Sequence, residues 1–217
     1  MKKIFLIVLL FGLVSNPQYS NSETQDNKST VILNKLSKTY KTYKSLKASF
    51  KIKINNKQTK TTVTQSGVLY QKGKKFKVDI SGQEISCDGK TIWTYLEDAN
   101  EVQISKFDAK TMEINPSEIF TIYEKGFIHS YMGQKTVGKS TIDLVKLTPM
   151  DKNKSYFLVK LSVDKLASKI KEMSVHNKNG IVTTYTITRF EPNVNINDSY
   201  FRFNPKDKPG VIEIDLR

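Results

Sequence analysis

The spacing of apolar residues changes character along the chain. From Ile4 to Val14 they form one unbroken run, IFLIVLLFGLV, preceded by Met1-Lys2-Lys3 and ended by Ser15-Asn16-Pro17. Residues 23–30 are polar and read as a loose tail. From Thr30 to about Lys47, Val31, Ile32, Leu33, Leu36, Tyr40, Tyr43 and Leu46 recur every three or four positions. That is the stripe of one helix face, with Ser29 or Thr30 as its N-cap. From Phe50 the period becomes two: Phe50, Ile52 and Ile54 alternate with Lys51, Lys53 and Asn55, and Phe76, Val78 and Ile80 with Lys77 and Asp79. Such alternation marks strands with one face toward a core.

Turn chemistry separates these strands. Asn55-Asn56-Lys57 precedes a strand over 61–71, and Ser81-Gly82 ends the one at Phe76. Asp88-Gly89 joins a strand over 84–87 to one over 91–95 as a short hairpin. Val102 and Ile104 mark a further strand. Helical spacing returns once, from Asn115-Pro116-Ser117-Glu118 through Ile119, Phe120, Ile122, Tyr123 and Phe127, where proline suits a first helical turn. Strands follow over 128–137, 141–147, 156–164, 169–177 and 181–190, and a last one over 211–216. The pattern predicts a mainly β (α+β) chain: a single curved antiparallel sheet of about ten or eleven strands with two helical insertions. A sheet that wide tends to curl or close to protect its edges. No repeat, linker or charge block divides residues 23–217, so they read as one domain.

Composition narrows the class. Of 217 residues, 38% are hydrophobic and 26% charged, a globular balance rather than a disordered one. The lone Cys87 excludes a disulfide framework within the chain and any multi-Cys zinc site. The early apolar run, at about 1.5 Å per residue, is far too short to cross a ~30 Å bilayer core. With its cationic start and the small residues of Ser20-Asn21-Ser22 it reads as a signal peptide over residues 1–22. No Cys follows it to accept an acyl anchor, so a soluble exported protein is expected.

A formal net charge of +14, from 35 Lys and Arg against 21 Asp and Glu, brings anionic partners into view. For an exported protein these are lipid head groups, acidic glycans or acidic proteins rather than nucleic acid. A Lys- and Asn-rich compositional bias accounts for the charge equally well.

Catalytic chemistry finds little support. His129 and His176 sit on expected strands without metal-binding spacing, and neither a nucleophile elbow nor a phosphate-cradling glycine loop occurs. Cys87 reads as a small buried hydrophobe. Asp79, Glu84, Asp88, Glu97 and Glu101 are scattered, with no pair singled out for acid–base work. No catalytic residue, metal or cofactor is expected. The distinctive feature is aromatic excess in the middle third: Tyr70, Phe76, Trp93, Tyr95, Phe107, Phe120, Tyr123 and Phe127. An ordinary core explains such residues, and so does an apolar cavity under a curved sheet.

Several strings carry a resemblance. Ser66-Gly67-Val68-Leu69-Tyr70, Lys75-Phe76-Lys77-Val78, Ser86-Cys87-Asp88-Gly89-Lys90-Thr91-Ile92-Trp93-Thr94-Tyr95 and Asn100-Glu101-Val102 together resemble the outer-membrane lipoprotein carrier family (LolA-like). Phe201-Arg202-Phe203-Asn204-Pro205 with Pro209-Gly210-Val211 is similar to that family's ending. The resemblance implies a helix-covered incomplete barrel that holds lipoprotein acyl chains and shuttles them across the periplasm. On that reading Tyr70, Phe76, Val78, Ile80, Trp93 and Tyr95 line the lipid cavity, and Ile119, Phe120 and Tyr123 belong to a lid. The implied partners are acylated lipoproteins, an inner-membrane lipoprotein-releasing ABC transporter and an outer-membrane acceptor, with the carrier itself a monomer. Family members of the best-known type carry an Arg-Pro pair just before the aromatic, the Arg holding the lid shut. Here the segment reads Gln71-Lys72-Gly73-Lys74-Lys75-Phe76, which leaves Lys72, Lys74 or Lys75 as the lid or partner contact. Two rivals stand beside the carrier: an envelope lipid- or partner-sensing module that binds anionic ligands through a Lys-rich face, and an exported hydrolase.

Overall fold

The structure, a computed structural model, describes residues 22–217 apart from 110, 111 and 113. The expected signal peptide therefore lies outside the described residues, except for its last position. Helix α1 (Ser22–Lys41) is followed by strands β1 (Leu46–Asn56), β2 (Thr61–Lys72), β3 (Lys75–Ile80), β4 (Gln83–Cys87), β5 (Thr91–Leu96) and β6 (Glu101–Lys106). After a crossover come β7 (Phe127–Val137), β8 (Ser140–Pro149), β9 (Tyr156–Asp164), β10 (Lys169–Asn177) and β11 (Ile181–Pro192), then a second crossover and β12 (Ile212–Asp215).

All twelve strands form one curved sheet in the order β12-β6-β5-β4-β3-β2-β1-β11-β10-β9-β8-β7, which is not closed into a barrel. Two meanders, β1–β6 and β7–β11, meet where β1 pairs β11. This topology dictates the crossovers. β6 and β7 lie near opposite edges, so residues 107–126 must traverse one face of the sheet. β11 ends in the middle and β12 lies beyond β6, so residues 193–211 must traverse a face as well. They take opposite faces.

The inner face carries the main core. Ala48, Phe50, Ile52, Leu69, Phe76, Val78, Val145, Leu147, Val159, Leu161, Met173 and Val175 pack there against Leu33, Leu36 and Tyr40 of α1 and Phe120 and Tyr123 of the first crossover. The outer face carries a small cluster of Tyr95, Val102 and Ile104, against which Trp93, Phe203 and Val211 pack.

Four expectations are corrected. The sheet has twelve strands where about ten or eleven were expected, one for each of the twelve segments with strand spacing. It is not wholly antiparallel: β12 runs parallel to β6, with Ile212 beside Glu101. The second crossover uses up the length of the sheet, so the chain re-enters at the end where β6 begins, and parallel pairing needs such a connection. The helix runs over 22–41 instead of 30–47. Ser29 and Thr30 are not its caps: their hydroxyls donate to the Asp26 carbonyl (2.8 Å each), the back-bonding of Ser and Thr inside a helix. Finally, the aromatic insertion is not a continuous helix but two single 3₁₀ turns, Pro116–Glu118 and Ile122–Glu124. Asn115 caps the first, accepting from the Ser117 amide at 3.1 Å.

Candidate functional site

Cross-strand register assigns each side chain to a face, since residues directly opposite in a sheet point the same way. Gln71 lies opposite Phe76, Phe76 opposite Cys87, and Cys87 opposite Ile92. Leu69, Val78 and Ile85 form the next inner row, and Phe50, Gly67 and Ile80 the one after. Gly67 has a packing reason to lack a side chain: a Cβ there would stand 2.7 Å from the Phe50 ring and 2.6 Å from the Asp79 carbonyl oxygen.

Of the six residues expected to line a cavity, Phe76, Val78 and Ile80 share this inner face. Tyr70, Trp93 and Tyr95 do not, which corrects their placement. Tyr70 stands opposite Lys77, Lys77 opposite Ser86, and Ser86 opposite Trp93 on the outer face. There Tyr95 stacks on Phe203 (5.6 Å between ring centroids) and Tyr70 meets Tyr200 edge-on (5.0 Å). Apolar side chains on both faces of β5 conceal this division in the sequence, because alternation identifies two faces without saying which one is inside.

The inner crossover seals the apolar face. Phe120 stacks on Tyr40 at 5.1 Å and meets Phe190 edge-on at 5.4 Å, while Phe107 closes against Phe76 at 5.9 Å. Ile119 and Ile122 pack half-buried on the same core. The expected lid residues Ile119, Phe120 and Tyr123 all pack on the inner core, Phe120 and Tyr123 buried and Ile119 half-buried.

The lysines expected to hold this segment turn the other way. Lys72 and Lys75 both bind Asp198 of the outer crossover, at 2.9 and 2.5 Å, and Lys72 also donates to the Ile196 carbonyl at 3.1 Å. These two ammonium groups hold the Asp198 carboxyl down at about 2, below the ordinary carboxylate value. Lys74 is exposed at the turn. The polar contact to the inner crossover comes instead from Gln71, whose amide donates to the Ser117 carbonyl at 2.5 Å. Hairpin arithmetic could have found it: with Lys72 opposite Lys75, Gln71 falls opposite Phe76 and faces inward.

A second set of ties joins the crossover to α1, where Glu124 accepts from the Ser37 hydroxyl and pairs with Lys41 at 3.3 Å. Two polar atoms beneath the segment, Gln71 Oε1 and the Tyr123 hydroxyl, are buried without a hydrogen-bond partner. Burial pushes the Tyr123 phenol well above its ordinary value, so it stays a protonated donor.

Reactive groups have quiet surroundings. Cys87 is fully buried and burial raises its thiol to about 11, the opposite of an activated nucleophile. His129 Nδ1 lies 2.9 Å from Ser29 Oγ, which is also within hydrogen-bonding distance of the Asp26 carbonyl at 2.8 Å. His176 is held below its ordinary value by partial burial, with Lys160 and Lys57 adding to the shift. Among the described residues no group of His, Cys, Asp and Glu is arranged to hold a metal ion.

An open β sheet with one apolar face sealed by a helix and a crossover defines the class: a half-barrel with a covered hydrophobic interior. Residues 41–204 match the family described as outer membrane lipoprotein carrier protein LolA, and the chain belongs to that family. No match was found among the curated proteins. Among solved structures, an uncharacterized conserved protein from Thermus thermophilus is similar at 12% identity, with a TM-score of 0.58 over 87% of this chain and 99% of that one. A LolA superfamily protein from Nitrosomonas europaea (12% identity, TM-score 0.45, 80% and 97% covered) is more distant. So is the lipoprotein LppX of Mycobacterium tuberculosis (10%, 0.46, 79% and 100%).

Proposed function

We propose that this protein is a periplasmic carrier that holds the acyl chains of lipoproteins against the inner face of its half-barrel and moves them from the inner to the outer membrane. The observation that carries the reading is the apolar inner crossover. It covers the core to which Phe76, Val78 and Ile80 belong with Phe107, Phe120, Tyr123 and their neighbours, and the Gln71 amide adds a side-chain hydrogen bond from the sheet.

A cover of this kind can be exchanged for another apolar body. Each CH₂ moved from water into an apolar site is worth about 0.8 kcal/mol, so acyl chains can compensate for the Phe120 and Tyr123 contacts they displace. The closed arrangement also leaves Gln71 Oε1 and the Tyr123 hydroxyl unpaired, a cost of about 1–3 kcal/mol for each buried group that biases the cover toward opening. The ester and amide groups at the head of an acylated N-terminus supply the missing partners, a carbonyl for Tyr123 and an N–H for Gln71. In this role Gln71 replaces the latching Arg of the family's best-known type, and it is a weaker latch for lack of charge. An ABC transporter would load the carrier and an outer-membrane acceptor would unload it.

The test is a release assay. Spheroplasts carrying radiolabelled lipoproteins are incubated with the purified protein, and soluble one-to-one complexes are sought in the supernatant. Acylation-dependent release that is lost on cross-linking Ser117 to Gln71 through a pair of introduced cysteines supports the carrier. A folded protein that releases nothing from energised spheroplasts, or whose cross-linked form releases as well as wild type, overturns it.

A further inference from the structure

One end of the sheet presents apolar side chains that the folded core does not use. The β9–β10 turn projects Leu166, 93% exposed, between Lys165 and Lys169. The turn is not slack. Asp164, itself buried, accepts from the Leu166 amide at 3.1 Å and the Ala167 amide at 2.9 Å, and its carbonyl accepts from Ser168 at 2.8 Å. The leucine is therefore held out by a built turn, at the entropic cost of an ordered loop and with no packing return inside the protein.

The β7–β8 turn is its neighbour, because Ile142 pairs Asp164 and the Lys165 amide donates to the Thr141 carbonyl at 3.0 Å. It carries Val137, 55% exposed, flanked by Lys135 and Lys139. Behind both turns, on the outer face, a hollow of about 300 Å³ is lined by Val137, Ile142 and Ile187 together with Lys135, Lys171, Glu172 and the hydroxyls of Ser140, Ser162 and Thr186. The Asp164 carboxylate is taken up by the turn amides and by Lys171 at 3.8 Å, and among the described residues no ion pair joins Lys135, Lys139 or Lys165 to a carboxylate.

We infer that this end is a docking surface for an anionic lipid bilayer. Leu166 and Val137 enter the interface, and Lys135, Lys139 and Lys165 lie at head-group level. Two rigid apolar tips ringed by ammonium groups are what interfacial binding requires: apolar area to bury and positive charge to meet anionic lipid. Neither element suffices alone, since one buried leucine binds weakly and scattered lysines are screened at physiological salt. The inference does not depend on the carrier reading, because the inner face takes no part in it.

The experiment is flotation of the purified protein with vesicles of phosphatidylglycerol and phosphatidylcholine, or of phosphatidylcholine alone, in 0.1 M salt. Binding to the anionic vesicles is expected to fall at least fivefold for Leu166→Ser. For the triple variant Lys135→Gln, Lys139→Gln and Lys165→Gln it should fall about a hundredfold, or roughly fivefold per lysine. A control of equal charge change at the opposite end, Lys57→Gln, Lys152→Gln and Lys154→Gln, should bind like wild type. Circular dichroism establishes that each variant is folded. The inference is overturned if the control loses as much as the triple variant, since net charge then explains the binding. It is overturned equally if Leu166→Ser floats like wild type, or if neutral vesicles bind as well. Uptake of an apolar acyl probe should be the same for tip variants and wild type, which keeps this outcome separate from that of the carrier proposal.

Discussion

The two crossovers do the same topological job on opposite faces and are held in different ways. The outer one, 193–211, is fastened by polar contacts along its length: Asp198 to Lys72 and Lys75, Arg202 to Asp88 at 3.3 Å, the Ser45 hydroxyl to the Val194 carbonyl at 2.5 Å, and the β12 ladder on β6. The inner one, 107–126, lies on aromatic and aliphatic side chains, with Gln71 and the Glu124 contacts as polar ties to sheet and helix. Hydrogen bonds and strand pairing tolerate only one geometry, whereas apolar burial is non-directional and is nearly as well satisfied by another apolar partner. The outer crossover is thus a fixed strut and the inner one a cover held mainly by apolar burial.

The contrast between strut and cover is most exposed at its centre. Phe76→Ala empties a fully buried site beneath the inner crossover and is expected to cost about 3–5 kcal/mol in denaturant unfolding. Trp93→Ala removes a half-buried ring on the other face, and should leave the affinity for an acyl probe unchanged in a fluorescence titration. Equal loss of probe binding in both variants, with folding intact, would erase the distinction between the faces. Gly67→Ala comes next: forcing a methyl against the Phe50 ring should cost about 1–3 kcal/mol by overpacking.

Gln71→Leu tests the same contrast at smaller scale. It removes the donor to Ser117 and should lower global stability by about 1 kcal/mol. The clearer readout is hydrogen exchange, where amides of 116–124 should lose protection while those of β12 keep theirs. Equal loss in both segments would mean that the inner crossover is as firmly built as the outer.

The smallest effect is electrostatic and belongs to the strut. Asp198 is held at about 2, below its ordinary value of about 3.9, so its contribution is fully present above about pH 4 and disappears as the pH falls through about 2. In an acid titration followed by exchange at 196–201, Asp198→Asn should flatten that change, and 1 M salt should mask it because the pair is exposed.

Much of this was legible in the residues. Phe50 to Ile54 and Phe76 to Ile80 alternate so regularly that their strands needed no tertiary information, and Asp88-Gly89 marked its hairpin. The helix was displaced by several residues because its first turns are polar and contribute little to an apolar stripe, while Leu46, which completed the stripe by spacing, opens β1 instead. The aromatic insertion had helical spacing, yet it lies flat across a sheet, and tertiary burial of Phe120 and Tyr123 rather than local hydrogen bonding decides its shape. Tyr70, Trp93 and Tyr95 show the limit most clearly: as sequence they match the inner aromatics, and only the register, through Lys77 and Ser86 for the first two and through Asp79 and Glu84 for Tyr95, sends them outward.

Residue order alone was enough for the strands and their succession, the family and an excess of apolar surface that demanded cover on both faces of the sheet. Which face became the interior, and which crossover covered it, was settled only in three dimensions. Local periodicity is a property of neighbours along the chain, but the direction of a face depends on where β6 and β7 come to rest. Once they lie at opposite edges, the segment between them has to cross the sheet. That crossing brings Phe120 over Tyr40 and leaves Asp198 to Lys72 and Lys75 on the other side.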